Sequence, residues 1–156
     1  MTTTADRFLA KVQVTEECWL WTGALGTYGY GLFKSPDTPS PEGAHRWAYR
    51  HHKGPIPTDK EVDHTCHVRR CVNPEHLRLV TKKQNQENRS GPQANNGSGV
   101  RGVHKVPGRR GWKVIVVHNK RRHYGGYFTD VQVAASTARQ LRNQLFTHND
   151  VDRVRL

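Results

Sequence analysis

Acidic residues are scarce in this chain: 13 Asp and Glu stand against 25 Lys and Arg, for a formal net charge of +12 and a sequence pI near 10.1. That balance favours a polyanionic partner. Cysteine is equally sparse. Three residues, Cys18, Cys66 and Cys71, are an odd number, which argues against a closed disulfide framework. No apolar run is long enough to span a bilayer, which excludes a transmembrane helix. The opening MTTTADRF lacks the basic-then-apolar pattern of a secretory signal. The expectation is a chain in a reducing cytoplasm, with no membrane partner.

The positive charge is uneven. Residues 98–156 carry 12 Lys/Arg and 3 Asp/Glu, a net of +9, whereas residues 1–97 carry 13 and 10, a net of +3. The C-terminal part is therefore the stronger candidate for sequence-independent attraction to phosphates.

One stretch concentrates the chemistry. Asp63 to Asn85 reads DHTCHVRRCVNPEHLRLVTKKQN and contains H-x-C-x4-C-x4-H, with an Asn nine residues on. Cys66, Cys71 and His76 offer soft and borderline ligands at close spacing, which suits tetrahedral zinc. His67 is an alternative to His76. His64, Asn85 and Asp63 are left over. A histidine base beside oxygen donors suits a hard cation such as Mg²⁺, with Mn²⁺ as a substitute.

This stretch resembles the His-Cys box of homing endonucleases, a branch of the HNH (ββα-metal) nucleases. The phrases AHRWAY, GPIP, DHTC, CVNPEHL and VT-x3-N are similar to those of phage and intron HNH nucleases, and the resemblance covers roughly residues 5 to 90. It implies His64 as general base, and Asn85, with Asp63, on a catalytic Mg²⁺. Structural zinc would sit on Cys66, Cys71, His76 and a distant upstream cysteine, for which Cys18 is the available residue. Arg46, in the AHRWAY phrase, would approach the scissile phosphate. The products would carry 5′-phosphate and 3′-hydroxyl ends, in a bacterial or phage-infected cell, on double-stranded DNA. A homodimer is compatible with this reading.

Local patterns predict the elements. Thr4 to Val14 is expected to be a helix, with Phe8, Leu9 and Val12 at helical spacing. CWLWTGALGTYGYGLF predicts a twisted hairpin turning between Thr22 and Gly29, with Trp19 and Trp21 as core. Ser35 to Gly43 is a loop, and AHRWAYRHH a helix stopped at Lys53-Gly54-Pro55. His45, His51 and His52 are expected to be packed or solvated. Glu61 to His64 and Leu77 to Val80 are two strands, and Thr81 opens a helix with a T-x-x-Q capping box. Three strands follow over Val100–Val106, Trp112–His118 and Arg122–Phe128. A helix then covers Asp130–Phe146, with Thr129 or Asp130 as N-cap and an apolar stripe of Val131, Ala134, Ala135, Ala138, Leu141 and Leu145. Val151 to Leu156 is too short and polar to predict an element.

SGVRGVH, the W-K-V-I-V segment and GGYFTDVQVAASTA resemble the APETALA-type (ethylene-response-factor) DNA-binding domain over about residues 98–147. The resemblance places Arg101, His104, Arg122 and Tyr124 as groove readers, with Lys113 and Arg121 beside them. Ile115 and Val117 stand where that family has polar readers, leaving apolar contact with a thymine methyl open to them. The expected architecture is α+β. A zinc-stapled ββα-metal nuclease domain (1–90) and a linker (91–97) precede a three-stranded antiparallel sheet packed on one helix (98–150). The functional expectation is a homing-type, metal-dependent DNA endonuclease. The alternatives are a non-catalytic, sequence-specific DNA-binding protein and a zinc-binding adaptor for other proteins.

Overall fold

A computed structural model describes residues 2–89, 91–92 and 96–153. The chain divides into two compact units, Met1–Lys82 and Lys83–Leu156. The mixed α+β architecture is the expected one.

The first unit opens with α1 (Thr4–Leu9), held by a reciprocal cap. Asp6 N–H donates to Thr3 Oγ1 at 3.1 Å, and Thr3 N–H donates to the Asp6 carboxylate at 2.9 Å. The expected helix to Val14 is corrected here. The chain leaves α1 at Ala10, and Val12–Val14 forms β1, pairing antiparallel with β2 (Trp19–Trp21). Val12 is therefore a strand residue, and β-branched Val12 and Val14 suit that role. The expected hairpin partner for the Trp strand changes with it. β3 (Leu32–Phe33) pairs with the short β4 (Glu42–Gly43), inside the segment expected to be loop.

α2 (Ala44–Lys53) buries Ala44, Trp47 and Ala48, at the i, i+3, i+4 spacing of one helix face. It ends at Gly54, whose φ of 104° is a conformation that glycine adopts without steric cost. The core is an aromatic cluster. Phe8 stacks on Trp47 at 4.2 Å and meets Trp21 and Phe33 at 4.9 and 5.0 Å. Gly31 is required there, because a Cβ would lie 2.5 Å from the Trp21 ring. β5 (Lys60–His64) and β6 (Leu77–Thr81) form an antiparallel pair with Asp63 opposite Arg78 and His64 opposite Leu77. Between them lie the loop holding Cys66 and Cys71 and a 3₁₀ turn, Pro74–His76, capped by Asn73 Oδ1. α3 (Lys82–Glu87) begins directly after Thr81 and from Lys83 on belongs to the second unit.

In the second unit β7 (Val103–Lys105), β8 (Trp112–His118) and β9 (Arg121–Phe128) form an antiparallel sheet in that order. Asn119 and Lys120, with φ of 50° and 62°, make the two-residue turn of the β8–β9 hairpin. A register shift sits between Val114 and Ile115, opposite the Gly125-Gly126 pair. α4 (Val131–Leu145) is capped by Asp130, which accepts from Gln132 N–H at 2.7 Å. Ala134 and Ala138 are fully buried against Val103 and Val114. Such small side chains bring the helix close to the sheet. The expectation of no element after Asp150 is corrected: Asp150–Arg153 forms α5. There Asp152 takes a bidentate grip from the buried Arg142, at 2.6 and 2.9 Å. Residues 154–156 of that expectation lie outside the described residues.

Candidate functional site

The metal cluster is assembled from three places. Cys18 precedes β2, Cys66 and Cys71 sit on the β5–β6 loop, and His76 ends the 3₁₀ turn. Backbone pairing brings these parts together. Trp21 N–H donates to Arg70 O, and Val72 N–H donates to Trp19 O, each at 2.8 Å. The four ligand atoms lie within 4.8 Å of one another, and His76 Nδ1 is 3.7 and 3.6 Å from the sulfurs of Cys18 and Cys71. Tetrahedral zinc with Zn–S of about 2.3 Å and Zn–N of about 2.0–2.1 Å requires S···N separations of about 3.6 Å. The donor set therefore fits zinc. The choice between His76 and His67 goes to His76, since His67 is outside the cluster.

Protonation in the cluster is shared. The Cys71 thiol is pushed down to about 4 by the Cys66 thiol, against burial, with help from the Asn73 N–H. Hydrogen bonding to Cys71 and burial push Cys66 up, and burial pushes up Cys18. A dication on these ligands would hold the coordinating thiols deprotonated.

His64 closes β5 and is buried. Its Nε2 lies 3.0 Å from Cys71 O. A carbonyl only accepts, so Nε2 carries the hydrogen and Nδ1 is left as the basic nitrogen. Burial pulls His64 below the ordinary imidazole value, opposed by the Cys71 carbonyl and by the Asp63 charge. The His45 ring, from the start of α2, lies 4.9 Å away, and that of Tyr30 6.0 Å away. Burial, with the charges of His64 and Arg46, pushes His45 down to about 3, so it stays neutral. Tyr30 is a residue that local pattern did not single out, and His45, expected to be packed or solvated, packs against His64. Their only sequence signal is the AHRWAY phrase and the glycine-aromatic run.

The remaining expected residues are placed as follows. Asp63 is buried on β5, and its Oδ2 accepts from Arg78 Nε and Nη2 at 3.1 and 3.0 Å. Arg46 is half-buried on α2. Asn85 is half-buried on α3, four residues past the end of β6.

In the second unit, cross-strand register gathers His104, Lys113 and Tyr127 in one row, Ile115 with Tyr124 in the next, and Val117 with Arg122 in the third. Directly opposed residues share a face. Tyr124 is 67% exposed and Val117 58%. The other register, with Val103, Val114 and Phe128, packs on α4. Arg121 opposes His118 and so falls on that second register, at the hairpin tip. Arg101 is turned elsewhere. Its guanidinium donates to the carbonyls of Gln86, Glu87 and Arg89 at 2.9–3.0 Å and covers the Phe146 ring at 5.1 Å. Burial and the neighbouring Arg142 pull its pKa down to about 10. The structure thus groups His104, Lys113, Arg122 and Tyr124 on one face, and places Arg101 and Arg121 apart from it.

Residues 42–87 match the family model described as HNH endonuclease. The matched stretch runs from β4 through α2, β5, the metal loop and β6 to the end of α3, so the chain carries an HNH endonuclease domain there. Over 73 residues the chain is 40% identical to Protein 7.7 of Escherichia phage T7, covering 46% of this chain and 54% of that one. Over 81 residues it is 35% identical to Protein 2.8 of the same phage, covering 51% and 55%. A 39-residue stretch is 51% identical to an uncharacterized gene 5.3 protein of Enterobacteria phage T3, covering 25% and 39%. The chain thus spans about half, or less, of the length of these curated relatives. No solved structure matches it. Among the described residues no helix is long and apolar enough to cross a membrane.

Proposed function

We propose that the protein is a metal-dependent DNA endonuclease of the homing, His-Cys box type, acting on double-stranded DNA. The observation that carries this reading is the 3.0 Å contact of His64 Nε2 with Cys71 O inside the HNH match, which leaves Nδ1 as the base. Zinc is structural: Cys18, Cys66, Cys71 and His76 hold the N-terminal hairpin to the β5–β6 loop.

A carboxylate and an amide oxygen suit a hard cation that keeps much of its own water, so Asp63 and Asn85 would hold Mg²⁺ or Mn²⁺. When bound, that ion supplies charge neutralisation at the phosphate and at the 3′ leaving oxygen. His64 Nδ1 takes the proton of the attacking water. The new bond forms between that water's oxygen and phosphorus, the bond from phosphorus to the 3′ oxygen breaks, and the leaving oxygen takes a proton from solvent water. The ends are a 5′-phosphate and a 3′-hydroxyl. Arg78 holds the Asp63 carboxylate in orientation, and Arg46 draws the scissile phosphate toward α2. In the second unit, the His104, Lys113, Arg122 and Tyr124 face holds DNA in the manner of an APETALA-type sheet.

Nicking of supercoiled plasmid, with chelator and then with Mg²⁺ restored to zinc-replete protein, tests this reading. His64→Ala is expected to keep zinc and DNA binding and to lose about 10²–10⁴-fold in single-turnover rate. A His64→Ala protein that cleaves at the wild-type rate, or wild-type cleavage indifferent to Mg²⁺, overturns it.

A further inference from the structure

The second unit contains a cleft of about 710 Å³ between the end of α3, the C-terminal half of β8 and Phe146. Its floor holds an unusual pair. Glu87 is 5% exposed. Its Oε2 is fully used, accepting from Thr147 N–H and Thr147 Oγ1 at 3.0 Å and from His148 N–H at 3.5 Å. Its Oε1 lies 3.4 Å from Lys83 Nζ and 3.6 Å from His118 Nε2. Among the described residues, neither Glu87 Oε1 nor His118 Nε2 makes a hydrogen bond, although both are buried. Beyond these long ion-pair contacts no hydrogen bond meets them, and native interiors seldom leave buried polar atoms so without a ligand or a function.

The surroundings state what would satisfy the pair. A carboxylate oxygen beside Nε2 favours the tautomer with hydrogen on Nε2, so the floor offers one acceptor next to one donor. Val116, on the same sheet face as His118, and Phe146 supply apolar surface that suits a flat ring. Exposed Lys83, Arg89 and Lys120 line the opening with positive charge. The other two arginines of the lining are already spent. Arg101 grips carbonyls at the end of α3, and Arg142 grips Asp152. An anion alone would meet the Glu87 charge at the floor. A flat ring with a donor beside an acceptor on its edge, carrying phosphate on its other end, meets all three demands. We propose that this cleft binds a nucleotide, with the base edge on Glu87 and His118 and the phosphate among Lys83, Arg89 and Lys120. The site lies outside the proposed cleavage residues and stands or falls independently of them.

The test uses the full chain, zinc-replete, titrated by calorimetry and by NMR of the His118 and Phe146 rings. The probes are dAMP, N6,N6-dimethyl-dAMP, deoxyribose 5-phosphate and inorganic phosphate. dAMP is expected to bind with shifts at both rings. The dimethyl analogue, which has no amine hydrogen, is expected to bind about tenfold more weakly, as for loss of one good base-edge pair. Glu87→Gln replaces the acceptor at the Oε1 position with a donor while its amide oxygen keeps the Thr147 bonds. It is expected to erase the difference between the two nucleotides. Lys120→Asn, on the exposed turn, is expected to weaken every phosphate-bearing probe equally and to keep the selectivity for dAMP. An oligo(dA) strand that binds more tightly than dAMP assigns the occupant to a strand, and equal affinity assigns it to a free nucleotide. Phosphate that binds as tightly as dAMP, or no shift at His118 with any probe, overturns the proposal.

Discussion

Replacing Cys71 with Ser is expected to unfold the first unit and spare the second. Cys71 is fully buried, its sulfur accepts from Asn73 N–H at 3.4 Å, and its backbone bridges to Leu20. Serine offers a short, hard, protonated oxygen in place of a soft thiolate, so the site loses one of four ligands and the cation with it. Structural zinc sites contribute about 10–16 kcal/mol to folding in comparable small domains. A domain's whole net stability is about 5–15 kcal/mol. The core of the first unit cannot absorb that loss, because its aromatic cluster is contributed by α1, β2, β3 and α2, which the cluster ties to the β5–β6 loop. Among the described residues the second unit contributes no ligand to the metal cluster, and its core of Val103, Val114, Ala134 and Ala138 is its own. Elemental analysis should find about one zinc per wild-type chain and little in the variant. Hydrogen exchange should show amides of β2, α2, β5 and β6 losing protection, while those of β8 and α4 keep it. A zinc-free Cys71→Ser protein with full protection over β5 and β6 refutes the reasoning.

Asn85→Ala is expected to slow cleavage through weaker metal binding and to recover part of its rate at raised Mg²⁺ or Mn²⁺, whereas His64→Ala is not rescued. A metal titration of single-turnover rates decides between them. Arg122→Gln is expected to lower the slope of log affinity against log salt by about 0.9, the share of one phosphate contact, in a binding titration. Arg101→Ala is expected to leave that slope unchanged and to cost about 1–3 kcal/mol in denaturant unfolding, since it frees three carbonyls and uncovers Phe146. Asp152 gives the pH dependence. Burial raises its pKa, but bonds from Arg142 and Asn149 outweigh this and hold it below the ordinary carboxylate value. A carboxyl depressed in the folded state contributes stability above its unfolded pKa, and that contribution is lost as pH falls through the folded value. The thermal stability of the second unit should therefore fall below about pH 4, and less so in Asp152→Asn.

Elements with local punctuation were legible in the sequence. Gly54 ends α2 and Asp130 caps α4, while β5 and β6 fall where the resemblance to a ββα unit implies two strands. Val12 misled because Phe8, Leu9 and Val12 fit a helical period, while the deciding force is pairing with the Trp19–Trp21 strand. Long-range partners were illegible for the same reason. Arg101 lies in a pattern that suggests a groove reader, yet the carbonyls it grips are 12 to 15 residues upstream. The nearness of His45 to His64 depends on how α2 packs on β5, which no local spacing encodes. The Asp63–Arg78 pair is an intermediate case, since it follows from the hairpin register once Lys60 is set against Thr81.

The helix that ends the HNH match is anchored downstream of it. Arg101 holds carbonyls at the end of α3, Glu87 takes the Thr147 N–H, and Asn88 accepts from Asp150 N–H. A genetic crossover placed just after residue 87 would leave that helix without its docking partners. Exchange of C-terminal segments between such genes therefore selects for breakpoints upstream of α3, or for an incoming segment that brings a compatible grip. The heritable cassette and the sequence-defined domain would then have different borders.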